Sequence, residues 1–242
     1  MNKIIKKSII VLAILCVALL KTHAQNGYYF RFELGPTFDV FQYTDNGNEL
    51  GARPVSSGNW GLAFGKELTP LFTLETGFYW NYYAENYYFK TLKMYSGTTG
   101  IFDTWQIPLR LKGGIHIYRD VVIFGTTVGI NYVINPENKN NTSGSGQLTN
   151  LKDTVTYNYS PRQFLKKNFF LLETGLFLDL KLFKGFHLCL TGSYYTGFKK
   201  LYENTITYQI NNSSPQVGAL TTNGDYFNFL FGLKYVIHSN NK

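Results

Sequence analysis

The sequence predicts an all-β protein: an eight-stranded antiparallel transmembrane β-barrel with up-and-down topology. Three observations predict it. The 242 residues include 19 Tyr, 20 Phe and 23 Gly, while only 16% are charged. That aromatic load excludes disorder and argues against a helical bundle, because so many residues are strand formers. After residue 24, apolar and polar positions alternate with period two, and no twelve-residue window carries a helical stripe. The connections between these segments are alternately short and long, as in a barrel with tight turns on one side and long loops on the other.

The first segment reads as an export signal. Lys3, Lys6 and Lys7 precede an apolar run from Ile9 to Leu20, which ends in Thr22-His23-Ala24. This pattern predicts a cleaved leader over residues 1–24 and a mature domain over 25–242. Twelve apolar residues are too few to cross a bilayer as a helix, which argues against an uncleaved anchor. The formal charge of +8 owes four lysines to this leader, and without them it falls to +4. So small and dispersed an excess makes no nucleic-acid surface. Cys189 is the one cysteine after the leader, which excludes an intramolecular disulfide and a cysteine-based metal site.

Eight strands follow in order. Tyr28 to Val40 sets Tyr28, Phe30, Phe32, Leu34, Pro36, Phe38 and Val40 against Tyr29, Arg31, Glu33, Gly35, Thr37 and Asp39. Asn59 to Gly65 divides Trp60, Leu62 and Phe64 from Asn59, Gly61, Ala63 and Gly65. Phe72 to Tyr82 opposes Phe72, Leu74, Phe78 and Trp80 to Thr73, Glu75, Gly77, Tyr79 and Asn81. Trp105 to Ile117 places Ile107, Leu109, Leu111 and Ile115 opposite Arg110, Lys112 and His116. Its Pro108 forfeits a ladder hydrogen bond, so either the strand begins after it or a bulge takes it up. Val121 to Ile134, Phe170 to Lys181, Phe186 to Tyr194 and Phe227 to Ile237 complete the set with the same division. An even count returns both ends of a closed barrel to one side.

The short connections are 66–70, 118–120 and 182–185; the long ones are 43–58, 84–104, 135–167 and 196–226. If the first strand starts in the periplasm, every short connection returns there, every long one lies outside, and both termini are periplasmic. The Asn-, Gly- and Ser-rich tract 138–150 reads as the tip of one long loop. A soluble sandwich rarely needs strands of this length with aromatics near their ends. A bilayer needs tilted strands of about 9–11 residues with aromatic belts at both interfaces. Tyr79, Trp80, Tyr82, Tyr83, Tyr87 and Tyr88 cluster at one strand's outer end, where several would join such a belt. A soluble ligand-binding barrel would want an apolar interior, whereas the narrow face here is charged.

That face carries Arg31, Arg110, Lys112, Lys181 and Lys234 against Glu33, Asp39, Glu75, Glu173 and Asp179. Charges enclosed in a narrow barrel must be paired or wetted, so balanced signs predict a salt-bridged lumen rather than a wide channel. The tripeptide Leu74-Glu75-Thr76 before Gly77 recurs as Leu172-Glu173-Thr174 before Gly175, in strands of opposite direction. Of the mature histidines, His116 and His187 would face the lumen, and His238 would lie in the terminal tail. His187 and Ser193 stand six residues apart in one extended strand, about 20 Å, so they make no catalytic pair.

The leader, the eight strands, Ile107-Pro108-Leu109-Arg110-Leu111-Lys112 and the closing Phe229-Leu230-Phe231-Gly232-Leu233-Lys234-Tyr235 resemble the outer-membrane β-barrel domain family common in Bacteroidota. That family includes PorT-like proteins and looks like small OmpA-type barrels. The resemblance covers nearly the whole mature chain. It implies an outer-membrane location in a Gram-negative bacterium and contacts with outer-membrane lipid and lipopolysaccharide. It also implies insertion by the outer-membrane assembly machinery, which reads an alternating aromatic last strand such as 227–237.

The expected function is non-enzymatic, without cofactor, metal or catalytic residues. The barrel would anchor long external loops that meet a surface or envelope partner. Tyr87, Tyr88, Phe89 and Tyr95 would serve there as contacts or, in preference, as the upper rim of long strands. The alternatives are a narrow pore with a basic constriction near Arg110 and Lys112, a PorT-like secretion component, and, last, an outer-membrane enzyme. Unpaired interior charge would distinguish the pore from a sealed lumen.

Overall fold

The computed structural model describes residues 27–238, apart from 54, 93, 97–101, 119–120, 136–142 and 162. The leader expected over 1–24 lies outside the described residues. In chain order the strands are β1 (Gly27–Asp39), β2 (Gln42–Asp45), β3 (Leu50–Ala52), β4 (Val55–Glu67), β5 (Phe72–Tyr83) and β6 (Tyr87–Phe89). They continue with β7 (Met94–Ser96), β8 (Phe102–Tyr118), β9 (Val122–Ile134), β10 (Gly144–Thr149), β11 (Thr154–Tyr159) and β12 (Gln163–Phe164). The last are β13 (Asn168–Phe183), β14 (Phe186–Gly197), β15 (Tyr202–Ile210), β16 (Gln216–Thr222) and β17 (Tyr226–His238).

Eight of these, β1, β4, β5, β8, β9, β13, β14 and β17, close into an antiparallel barrel. Each pairs with its neighbours in sequence, and β1 pairs with β17 to shut the ring, so the topology is up-and-down. All eight fall on the segments that the alternation marks. Outward positions are apolar and exposed, with Leu109 58% and Phe231 57% accessible, while the intervening residues point into a narrow interior. An exposed apolar band around a closed barrel is what a bilayer covers. Trp60, Trp80 and Trp105 stand in register on β4, β5 and β8, their neighbouring rings 5.9 and 6.1 Å apart. They form an outward aromatic row at the end that bears the long connections.

Pro108 neither starts its strand nor makes a bulge. It pairs with Asn131 of β9, and on the β5 side the ladder resumes in unchanged register from Thr76–Leu109 to Tyr79–Gln106. The Thr76 hydroxyl donates to the Pro108 carbonyl at 2.8 Å across this gap. Pro36 in β1 behaves alike, paired with Gly58 of β4 and skipped on the β17 side. A missing N–H thus costs one ladder bond without disturbing register. Gly185, with φ of 77°, makes the tight turn between β13 and β14, where a side chain would be strained.

The long connections are not bare loops, and here the structure corrects the sequence reading. Among the described residues they supply nine further strands. β10, β11, β15, β16 and β2 form one sheet, with β12 on β15, and β3, β6 and β7 form another. The tract expected as a loop tip contributes β10, paired with β11 from Gly144–Tyr159 to Thr149–Thr154. Between the sheets lies a separate core of Leu50, Tyr87, Phe89, Leu92, Val155, Ile206, Tyr208 and Leu220. Tyr208 donates to Asp45 at 2.8 and 2.9 Å, and burial and that bond raise its pKa above the ordinary tyrosine value. Tyr87 and Phe89 are therefore neither partner contacts nor a membrane rim; they are the inside of this cap. Tyr88 is half-buried beside Arg53, whose guanidinium lies 5.0 Å from the ring centre. The Tyr95 side chain lies outside the described residues.

Candidate functional site

The lumen holds nine of the ten charged residues that strand parity assigns to it. Arg31, Glu33, Asp39, Glu75, Arg110, Lys112, Glu173, Asp179 and Lys234 are all buried. Lys181 has the same parity but is exposed at the mouth, where it lines the short-turn vestibule with Asp179 and His187. The β13–β14 pairing shifts register between Lys181 and Phe183, where the strand has run past the enclosed part of the barrel. Parity alone carries no information about how far a wall extends.

At the centre, Glu75 joins two arginines. Its Oε1 lies 2.6 Å from Arg31 Nη2 and 3.1 Å from Arg110 Nη1, and Tyr29 donates to Oε2 at 2.7 Å. Arg110 reaches past β9 to β13, with Nε 2.8 Å from Glu173 Oε2. Its Nη1 donates to Tyr79 at 2.8 Å and its Nη2 to Tyr195 at 3.1 Å. Glu33 lies 3.3 Å from Arg31 and accepts from Tyr79 at 2.6 Å and Thr191 at 3.0 Å. Glu173 accepts also from Asn131 and Ser193. The repeated Leu-Glu-Thr-Gly patterns thus bring two carboxylates to the two sides of one arginine.

Room for these side chains comes from interior glycines. A Cβ on Gly65 would stand 2.1 Å from the Tyr29 ring, on Gly61 2.3 Å from the Tyr79 ring, and on Gly232 2.7 Å from Glu33 Cγ. The glycines on the polar face are thus spaces for the large residues beside them.

Toward the short-turn end, Lys234 pairs with Asp179, and Lys112 Nζ lies 3.9 Å from Glu75 and 4.1 Å from the Phe177 ring centre. A vestibule of about 400 Å³ opens here, lined by Lys112, Asp179, Lys234, Thr73 and both histidines. His187 is buried and His116 exposed; the side chain of His238 lies outside the described residues. Toward the other end, Tyr83, Tyr195 and Tyr226 close the lumen, with Tyr195 and Tyr226 stacked at 4.2 Å. Below them Asn59 donates to Asn81 at 3.2 Å and Tyr226 to Gln106 at 2.9 Å. Asp39 accepts from the Ala84 amide at 2.8 Å and from Ser57 at 3.1 Å.

Chemically this is an ion-paired, hydrogen-bonded column and not a nucleophile with its base. Ser193 is engaged by Glu173, and His187 stands opposite Lys234, nearer the vestibule. Among the described residues no three His, Cys, Asp or Glu side chains gather as metal ligands. The basic constriction expected near Arg110 and Lys112 is matched by Glu75 and Glu173, so it presents no net positive ring. Sequence reasoning missed the tyrosines. Tyr29, Tyr79 and Tyr195 share the parity of the charges, and that was the signal available.

No protein-family model matches the sequence, and no curated protein matches it. Among solved structures, the chain is similar to the outer membrane protein OprG from Pseudomonas aeruginosa, with a TM-score of 0.54 at 13% identity, covering 90% of this chain and 98% of that one. Two others are the N-terminal β-barrel domain of OprF from the same organism (TM-score 0.43, 8% identity, 89% and 100% covered) and Neisserial surface protein A (0.43, 10%, 86% and 96%). The likeness to OprG is one of fold alone: a small, closed, antiparallel β-barrel. It does not narrow to the PorT-like family of Bacteroidota.

Proposed function

We propose that the chain is a non-enzymatic outer-membrane barrel serving as a narrow, gated conduit for small polar solutes, closed in this state by the Arg31–Glu75–Arg110–Glu173 network. The observation that carries this is the polar column running from the vestibule to the tyrosine layer. Ion pairs buried in a core add little stability over apolar residues of the same size, and ionisable groups inside a membrane mark pathways more often than they serve packing. Arg31 Nε and Nη1, Thr127 Oγ1 and Asp179 Oδ1 have no protein partner, so a hydrated lumen suits them. Planar-bilayer recording tests the reading. The wild type is expected to give rare, brief openings, and Arg110→Ser, which removes the bridge between Glu75 and Glu173, to conduct several-fold more with a preference for cations. Silence from both, with the barrels folded, would end the conduit reading.

A second reading is favoured by the cap. Two sheets with their own core display a rigid surface, as an anchor for envelope or surface partners would. In both readings the short turns and the described strand ends Gly27 and His238 face the periplasm and the cap faces outward. Assembly would proceed through the alternating last strand β17. A PorT-like secretion role is an alternative that only the family resemblance raises, no residue of 107–112 or 229–235 marks it, and co-purification with a secretion complex tests it.

A further inference from the structure

At the short-turn end the lumen wall carries basic residues in register. Lys181 of β13 pairs with His187 of β14, and His187 pairs with Lys234 of β17. Lys234 in turn stands opposite Arg31 of β1. Four consecutive strands thus present basic side chains along one row. Cross-strand neighbours of one sign repel, so such a row needs counter-charge.

Part of the row has it. Arg31 is met by Glu33 and Glu75, and Lys234 by Asp179. Lys181 makes no ion pair among the described residues. Deeper in, Lys112 approaches Glu75 only to 3.9 Å, beyond hydrogen-bond reach. Glu67, the other carboxylate on the vestibule among the described residues, sits at its rim, where a Cβ on Gly27 would stand 2.5 Å from Oε2. Three lysines therefore face two carboxylates around this mouth.

Asp179 has the opposite deficit. Its Oδ2 holds Lys234, whereas Oδ1 accepts no hydrogen bond among the described residues, with the side chain 2% exposed. A buried carboxylate oxygen without a donor is costly, and the position calls for a hydroxyl. Lys181, His187, Lys234 and Asp179 all line one vestibule of about 400 Å³, inside the range of about 300–1,000 Å³ that small-molecule sites occupy.

We infer that the vestibule is a binding site for a small hydroxylated phosphate monoester, its phosphate on the Lys181–His187–Lys234 row and a hydroxyl on Asp179 Oδ1. Three terminal phosphate oxygens match three side chains on adjacent strands, whereas a planar carboxylate offers two oxygens and favours the fork of an arginine. Lys234 keeps donors for the ligand, because an ammonium has three. A monoester carries about −1.5 to −2 charges at neutral pH, which offsets the excess of cation. Asp179 lies two residues deeper than Lys181 on β13, about 7 Å along the strand. A sugar phosphate spans that distance and inorganic phosphate does not. The site requires neither conduction nor a particular orientation in the membrane, so it goes beyond the conduit reading.

The test is isothermal titration calorimetry of the full folded barrel in neutral detergent at fixed ionic strength, with ribose 5-phosphate as the probe. The wild type is expected to bind it saturably, and ribose, succinate and inorganic phosphate at least tenfold more weakly. Lys181→Gln should weaken the probe at least fivefold, Lys181→Glu should abolish its binding, and Lys181→Arg should retain it. Lys200→Ser, on the cap side, should leave it unchanged. The heat-dependent gel shift checks that each variant is folded. No binding by the folded wild type, or equal binding by Lys181→Gln, would overturn the site. So would ribose, succinate or inorganic phosphate binding as tightly as the probe, or a matching loss in Lys200→Ser. Binding is read directly, so a silent bilayer recording ends the conduit reading without touching this one.

Discussion

Glu75 accepts from Arg31, Arg110 and Tyr29 at once, with an accessibility of 1%. Replacing it by Gln leaves two guanidinium groups enclosed with one fewer carboxylate between them. Breaking a buried pair by removing one partner costs about 3–5 kcal/mol. Glu75→Gln is expected to lose that much in denaturant unfolding of the barrel in vesicles. Lys200→Ser, which removes an exposed pair with Glu203, should change it by less than about 1 kcal/mol. Which residues face the lumen was legible in the sequence, because a strand's period of two assigns every charge to a side. Which charge meets which was not. Arg110 and Glu173 are 63 residues apart, and they meet because β8 and β13 pair with the two edges of β9 and the curved wall turns both side chains inward.

Among the elements, the eight barrel strands and the cap differ in how they announce themselves. β1, β5, β13 and β17 are long enough for a dozen alternations and need no context. β3 and β6 are three residues each, too short for a period, and their apolar residues sit among turn formers. Phe89 shows the consequence: its sequence neighbours suggested a membrane rim, whereas it packs against Tyr157 and Tyr208 from distant connections, at 5.7 and 5.4 Å between ring centres. Such a core exists only once several long connections have converged. Phe89→Ala is expected to destabilise the cap by about 3–5 kcal/mol, seen as faster limited proteolysis within 144–159 and 203–221. The barrel should keep its folded gel mobility, since its wall pairs without help from the cap.

For the molecule as a whole, closure decides both stability and sidedness. A closed ring satisfies its backbone inside hydrocarbon and leaves no open edge. The unboiled protein is therefore expected to migrate on a denaturing gel apart from the boiled one. Leu151, fully exposed in the turn between β10 and β11, and Leu71, exposed in the short β4–β5 connection, lie at opposite ends. In intact cells Leu151→Cys should react with a membrane-impermeant maleimide and Leu71→Cys should not. The reverse pattern would invert the orientation.

The sequence by itself determined the eight strands, their faces, the antiparallel order and the end at which the long connections gather. All four are local properties, set by alternation along a strand and by the length of what joins it to the next. Only the tertiary structure decided that Lys181 lies at the open mouth of the lumen, that Glu75 and Glu173 share Arg110, and that the long connections fold into a cap. Each of these depends on residues far apart in sequence meeting in space, and such meetings follow from ring closure and packing rather than from any period in the chain.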